Sequence, residues 1–264
     1  MPSGSMIPTL LVGDFIFVSK FTYGLQLPFS DYTFFAWRKP ERGEVIIFEH
    51  PLPAEDDEIL IKRVVAVAGD TVRLTNNIWM VGADGAEATP LGEPAVINRR
   101  TECRLSPGEE CRWYIQDDPS GEDHPGCPCT LQRESSDKHD WITQHVAPNV
   151  VCECSAPHDS EQRGYSKHAN SPHWPAPVPF FREGNDFLRH WPKAHRATAL
   201  SKSADGLPQV TIPEGYIMVM GDNRDHSSDG RYWGLVPLNK VRGKAMFMWL
   251  RLSSPFSRMF RRVH

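Results

Sequence analysis

Apolar positions along this chain come in short, dense runs. Leu10-Leu11-Val12, Phe15-Ile16-Phe17-Val18, Val45-Ile46-Ile47-Phe48 and Arg63-Val64-Val65-Ala66-Val67 lie in the first part, and Val210-Thr211-Ile212, Tyr216-Ile217-Met218-Val219-Met220 and Ala245-Met246-Phe247-Met248-Trp249-Leu250 in the last. Gly13-Asp14, Arg42-Gly43-Glu44 and Gly69-Asp70 punctuate them. Runs of β-branched and aromatic residues bounded by Gly and Asp predict strands. Between positions 76 and 208 the periodicity fades and proline is dense, as at Pro172, Pro175, Pro177 and Pro179. That stretch reads as a β-poor, loop-rich insertion. No stretch of twelve or more residues shows helical periodicity. The expected class is mostly β, with residues 1–75 and 209–264 forming one core and 76–208 an inserted second domain.

Composition narrows the picture. With 264 residues the chain can bury a real core. Apolar residues make up 40% and charged residues 23%, ordinary values for a globular protein. A net charge of −4 argues against a nucleic-acid partner, which calls for a basic face. The longest apolar candidate, Ile7 to Phe21, is broken by Pro8, Gly13, Asp14 and Lys20, so nothing approaches the roughly 18 residues of a membrane span. The opening Met1-Pro2-Ser3-Gly4-Ser5 lacks the basic start and apolar stretch of a signal peptide. Yet six cysteines cluster between Cys103 and Cys154, a pattern that points to disulfides and an oxidising compartment. The two observations together lead us to expect that an N-terminal export or anchor segment is missing from this sequence.

Three segments carry candidate chemistry. Ser3-Gly4-Ser5 is a small turn presenting hydroxyls, with Gly4 allowing close backbone approach; taken alone it reads more readily as a frayed Ser/Gly-rich terminus. Lys62 interrupts the apolar run Ile59 to Ala68. It is either an edge-strand lysine that blocks aggregation or a desolvated general base. A free lysine is neutral in only about one molecule in 2,500 at pH 7, and burial lowers its pKa and makes the amine usable. Gly221 to Gly234 is a polar loop after a strand; it lacks the glycine and glutamate spacing of a calcium-binding EF-hand. It is either a solvated turn or a scaffold for the lysine.

Taken in order, Ser3 to Leu10, Gly13 to Gly24 (GDFIFVSKFTYG), Arg42 to Phe48 (RGEVIIF), Lys62 to Asp70 (KRVVAVAGD) and Gly221 to Gly234 (GDNRDHSSDGRYWG) resemble the conserved segments of bacterial type I signal peptidases, the Ser–Lys dyad proteases of family S26. The resemblance implies a signal-peptidase/LexA-like β fold of antiparallel sheets. It implies Ser5 as nucleophile, Lys62 as general base, and the Ser3 hydroxyl with the Ser5 backbone N–H as oxyanion hole. Ser227 would position the lysine, and Asp229, Arg231 and Arg63 would be charge partners near the site. Pro2, Met6 and Ile61 would flank the substrate groove. His226, where many relatives carry Asn, and Leu60, where an aromatic is frequent, depart from the pattern. The implied activity is removal of signal peptides after small-x-small motifs through an acyl-enzyme, with no metal or cofactor. The implied setting is a monomer on the periplasmic face of the inner membrane, acting on exported preproteins.

The cysteines leave alternatives open. Cys103 and Cys111 resemble a short disulfide loop in some relatives. Cys127/Cys129 and Cys152/Cys154 favour bridges between the two pairs, because pairing at i,i+2 is strained. The rival is a zinc site joining them to His124, His139 or His158, although Cys-x-Cys is shorter than usual zinc-ligand spacing. The tail, with Arg251, Arg258, Arg261 and Arg262 among apolar residues, is either a frayed end or a membrane-surface segment. Two functional rivals stand beside the protease: a self-cleaving Ser–Lys repressor, whose upstream DNA-binding module is not seen, and an inactive binding module, which the presence of both Ser5 and Lys62 disfavours.

Overall fold

The computed structural model describes residues 3–26, 33–52, 58–75, 78–83, 89–91, 96–100, 103, 110–115, 124–136, 138–146, 150–155, 191–202, 208–251 and 260–263. Strands dominate them. β1 (Asp14–Ser19), β2 (Gly24–Gln26), β3 (Thr33–Ala36), β4 (Val45–Glu49), β5 (Ile59–Ala66) and β6 (Thr71–Thr75) come first. β7 (Ile78–Gly82), β8 (Thr89–Pro90), β9 (Val96–Arg100), β10 (Glu110–Ile115), β11 (His124–Pro125), β12 (Cys129–Ser135), β13 (Asp140–Val146) and β14 (Val150–Ser155) follow. The rest is α1 (Lys193–Ala199), β15 (Leu200–Lys202), β16 (Pro208–Thr211), β17 (Tyr216–Met220), α2 (Gly230–Trp233), β18 (Val236–Pro237) and β19 (Val241–Arg251). No helix among the described residues is long and apolar enough to cross a membrane.

A six-stranded sheet in the order β1-β19-β4-β5-β17-β18 joins the two ends of the chain. Its strand pairs are antiparallel. β5 lies inside it, between β4 and β17, with Ile61 to Ala66 buried on both faces. A strand covered on both faces reads as a continuous apolar run rather than an alternation, as Arg63 to Val67 does. A second sheet runs β15-β16-β6-β7-β8. One core cluster combines Val65, Met218 and Met220 of the large sheet with Val81, Trp141 and Trp191 from the middle of the chain.

That middle stretch is richer in strands than its sequence predicts. β7 to β15 all fall within 76–208, and two three-stranded sheets, β11-β10-β14 and β13-β12-β9, belong to it. The apolar signal is weak because its inward positions are unusual. β12 buries Cys129, Leu131 and the carboxylate of Glu134, so a pattern-based reading sees polar residues where the fold has a core. The proline-dense segment 156–190 lies outside the described residues.

The cysteine pairing differs in part from the expected one. Cys103 is bonded to Cys129, and Cys127 to Cys152. The second bridge joins the two Cys-x-Cys pairs as expected; the first replaces the expected Cys103–Cys111 loop. Backbone pairing explains the change: the Cys103 N–H donates to the Cys127 carbonyl at 2.6 Å, which lays Cys103 beside the 127–129 segment. Cys111 is instead on β10, where its register partner on β14 is Cys154, and it too is disulfide-bonded. No described cysteine is free, and bridged sulfurs are not the thiolate ligands that the zinc reading requires.

The described end of the chain is not frayed. Phe260 donates to Met248, Met248 to Arg261 and Val263 to Met246, so residues 260–263 add to the far half of β19. Val263 is buried with Met6, Leu10, Ile61 and Met248.

Candidate active site

Four segments distant in sequence meet at the Ser3–Leu10 turn. Within the turn the Ile7 N–H donates to the Gly4 carbonyl and the Leu10 N–H to the Met6 carbonyl. Met6 and Leu10, both fully buried, fasten it to Val45, Ile61, Ala245 and Met248. The apolar positions flanking Ser5 are thus what fixes it.

β5 delivers the lysine. Lys62 Nζ lies 2.8 Å from Ser5 Oγ, and Lys62 and Ser5 are only 3% and 6% exposed. This position in an interior strand excludes the edge-strand reading. Burial pushes the amine down from 10.5 to about 8; Asp229 and Glu58 oppose the shift and Arg231 adds to it. At pH 7 about one amine in ten is then neutral, hundreds of times more than for a free lysine. Ser3 Oγ lies 3.3 Å from Ser5 Oγ, so both hydroxyls of the turn gather at one point.

The loop after β17 wraps the same point from the other side. The Asn223 N–H donates to the Ser5 carbonyl at 3.0 Å, and Asn223 Nδ2 to the Gly4 carbonyl at 3.2 Å. Gly221 must be glycine: a Cβ there would lie 2.2 Å from Ser227 Oγ and 2.5 Å from the Ser5 carbonyl oxygen. Ser227 is fully buried against it. Its hydroxyl helps hold the Asp229 carboxylate charged. Asp229 receives Arg231 Nε at 2.8 Å and Nη2 at 2.9 Å, with the Gly221 N–H at 2.9 Å. Burial alone would raise the Asp229 pKa, but Arg231 and the Gly221 N–H outweigh it and hold the carboxyl below its ordinary value.

Arg63, next to the lysine, is fully buried and pairs bidentately with Asp222 at 2.8 and 2.7 Å. It also donates to the Gly43 carbonyl and lies over the Trp141 ring at 5.0 Å. Thr9 donates to Asp222, closing the link back to the nucleophile turn.

The structure therefore brings together Ser3, Ser5, Met6, Ile61, Lys62, Arg63, Ser227, Asp229 and Arg231; Pro2 lies outside the described residues. Sequence reasoning missed Asp222, Asn223 and Arg224, although all three stand inside the GDNRDHSSDGRYWG motif. It also missed Glu134 and Gln144 on β12 and β13, for which no local signal exists.

The family model described as "Signal peptidase, peptidase S26" matches residues 1–106 and 160–250. Signal peptidase I of Haemophilus influenzae is 29% identical over 96% of this chain and 62% of its own length. That of Pseudomonas aeruginosa is 28% identical over 97% and 65%, and that of Buchnera aphidicola (from Acyrthosiphon pisum) 26% over 95% and 67%. The chain thus spans about two thirds of the length of these relatives. A crystal structure of a signal peptidase I from Enterococcus faecalis matches at 17% identity and a TM-score of 0.32, covering 78% of this chain and 97% of the other. On the sequence match across both ends of the chain, this protein belongs to the signal peptidase, peptidase S26, family.

Proposed function

We propose that this chain carries the catalytic unit of a signal peptidase that cleaves exported preproteins by a Ser5–Lys62 dyad. The observation that supports it most is the 2.8 Å contact between a buried lysine amine and a buried serine hydroxyl. In its neutral form the Lys62 amine accepts the Ser5 proton, and Ser5 Oγ attacks the scissile carbonyl. The Ser3 hydroxyl and the Ser5 N–H stabilise the oxyanion; a donor of this kind is typically worth about 3 kcal/mol. The protonated lysine then donates to the leaving amine, and water, deprotonated by Lys62, releases the acyl group from Ser5. The buried Ser227 hydroxyl, on the loop packed against the Ser5 carbonyl, would orient the amine. Substrate would lie extended beside the turn, with small side chains entering shallow pockets near Met6 and Ile61.

The exposed face of β1 and β19 supports a membrane setting. Phe15, Phe17, Trp249 and Phe260 are about half exposed or more, and Phe17 stacks on Phe247, which meets Phe260. Arg261 and Arg262 are exposed beside them. Aromatic and cationic side chains on one face suit the interface of an anionic bilayer, with catalysis on the periplasmic side of the inner membrane. The disulfides fit that compartment.

The test is incubation of a purified preprotein with the wild-type chain and with Ser5→Ala in detergent micelles, followed by N-terminal sequencing of the product. Cleavage after a small-x-small motif, lost in Ser5→Ala, supports the reading. Equal cleavage by both proteins overturns it.

A further inference from the structure

The loop that grips the nucleophile is itself gripped by the β12–β13 hairpin. The backbone of Gln144 brackets Asn223: its N–H donates to the Asp222 carbonyl at 2.8 Å, and its carbonyl accepts the Arg224 N–H at 2.9 Å. This is a parallel bridge between β13 and the loop. Gln144 Nε2 then donates to Asn223 Oδ1 at 3.3 Å, which leaves Asn223 Nδ2 to hold the Gly4 carbonyl. On β12, the Glu134 carboxylate pairs with Arg224 and accepts from Trp141 Nε1 at 3.0 Å. Arg224 in turn donates through Nε to the Gly221 carbonyl at 3.0 Å, and its own carbonyl receives Arg231. Glu134, Gln144 and Arg224 are 6%, 1% and 1% exposed.

The contact extends past the loop. The Val146 N–H donates to Asp225 at 2.7 Å. Trp141 faces Arg63. His139 packs so closely on Gly43, at φ +88°, that a Cβ there would lie 2.6 Å from His139 Cβ. A buried ion pair adds little net stability, and what these contacts fix is the placement of Asn223 and Gly221 against Ser5.

We infer that the β12–β13 hairpin is part of the catalytic apparatus, and that Glu134 and Gln144 are positioning residues that hold the 221–231 loop against the nucleophile turn. The inference rests on the Ser5–Lys62 reading. Neither residue contacts Ser5 or Lys62 directly. Glu134 acts through Arg224 on Gly221, and Gln144 acts through Asn223 on the Gly4 and Ser5 carbonyls. Loss of either loosens attack geometry, where an error of about 1 Å can cost about 100-fold in rate, and leaves substrate contacts intact.

The experiment is steady-state cleavage of a signal-peptide substrate by wild type, Gln144→Met and Glu134→Gln, with Tm measured in parallel. A double variant, Glu134→Met with Arg224→Leu, removes both buried charges together, so that only the neutral Trp141 Nε1–H and Gly221 carbonyl lose a partner. We expect kcat to fall about fivefold in Gln144→Met and at least tenfold in Glu134→Gln, with KM within twofold. These are losses in the range of one neutral and one charge-assisted hydrogen bond. The double variant should recover Tm but not kcat. Wild-type kcat in both single variants, or a double variant that recovers Tm and kcat together, shows the hairpin to be only structural and overturns the inference. A wild-type chain without Ser5-dependent cleavage overturns the dyad reading, and this inference with it.

Discussion

Replacing Lys62 by Met should stabilise this protein at neutral pH while abolishing its activity. Lys62 is 3% exposed, and burial pushes its amine from 10.5 to about 8. At about 1.4 kcal/mol per pKa unit, that displacement means the folded protein carries about 3 kcal/mol of cost whenever the amine is charged. The sign follows from proton counts. Below pH 8 both folded and unfolded chains hold the proton, and the cost is fully present. Between pH 8 and 10.5 the unfolded chain holds more protons, so wild-type stability rises with pH. Above 10.5 the cost is gone. Methionine keeps the stem, carries no charge, and loses one hydrogen bond to Ser5, worth about 1 kcal/mol. Lys62→Met should therefore be about 2 kcal/mol more stable than wild type at pH 7 and no more stable at pH 11. Urea unfolding of both proteins at several pH values, with disulfides intact, reads the difference directly. Titrating groups that do not interact with Lys62 cancel in it. A mutant less stable at pH 7, or a gap that does not change with pH, refutes the account of Lys62 as a desolvated amine.

Other consequences are equally specific. Lys62→Arg should show no detectable turnover in the same preprotein assay, because a guanidinium does not give up its proton in proteins. Gly221→Ala should lower kcat by about 100-fold or more, since its Cβ must displace Ser227 or the Ser5 backbone; kinetics beside a Tm measurement check this. Arg63→Ala should cost about 3–5 kcal/mol in urea unfolding, because it leaves the fully buried Asp222 carboxylate unpaired. Removing the Cys127–Cys152 bridge, which closes a loop with a sequence separation of 25, by the double substitution Cys127→Ala and Cys152→Ala should lower unfolding stability by about 3 kcal/mol; urea unfolding of the variant beside wild type measures it.

The Ser5–Lys62 contact was legible in the sequence because it combines a rare choice with a known order of motifs. A lysine inside an apolar strand run is conspicuous, and the strand proved interior, so the residues around Lys62 report its burial. Arg63, Asp229 and Arg231 were legible only through the motif they occupy. Asp222 was hidden in plain view: adjacent Asp and Arg residues in a polar loop look solvated until their partners from β5 are known. Glu134 and Gln144 were illegible for a different reason. Their role arises from contacts across about 80 or 90 residues, and a buried polar residue on a short strand has the same sequence signature as an exposed one. The first cysteine bridge was misread for a related reason. Sequence proximity favours Cys103 with Cys111, whereas strand pairing, which spacing does not encode, sets Cys103 beside Cys129.

The central claim is that a neutral Lys62 removes the Ser5 proton, and the most direct measurement is the titration of that amine itself. NMR of protein carrying labelled lysine, with the Lys62 signal assigned by its absence in Lys62→Met, gives its pKa; kcat/KM against pH gives the kinetic one. The account predicts that Lys62 titrates near 8, and that kcat/KM rises about tenfold per pH unit below the same value and levels above it. A Lys62 that titrates near 10.5, or a kcat/KM profile with no inflection where Lys62 titrates, would contradict it.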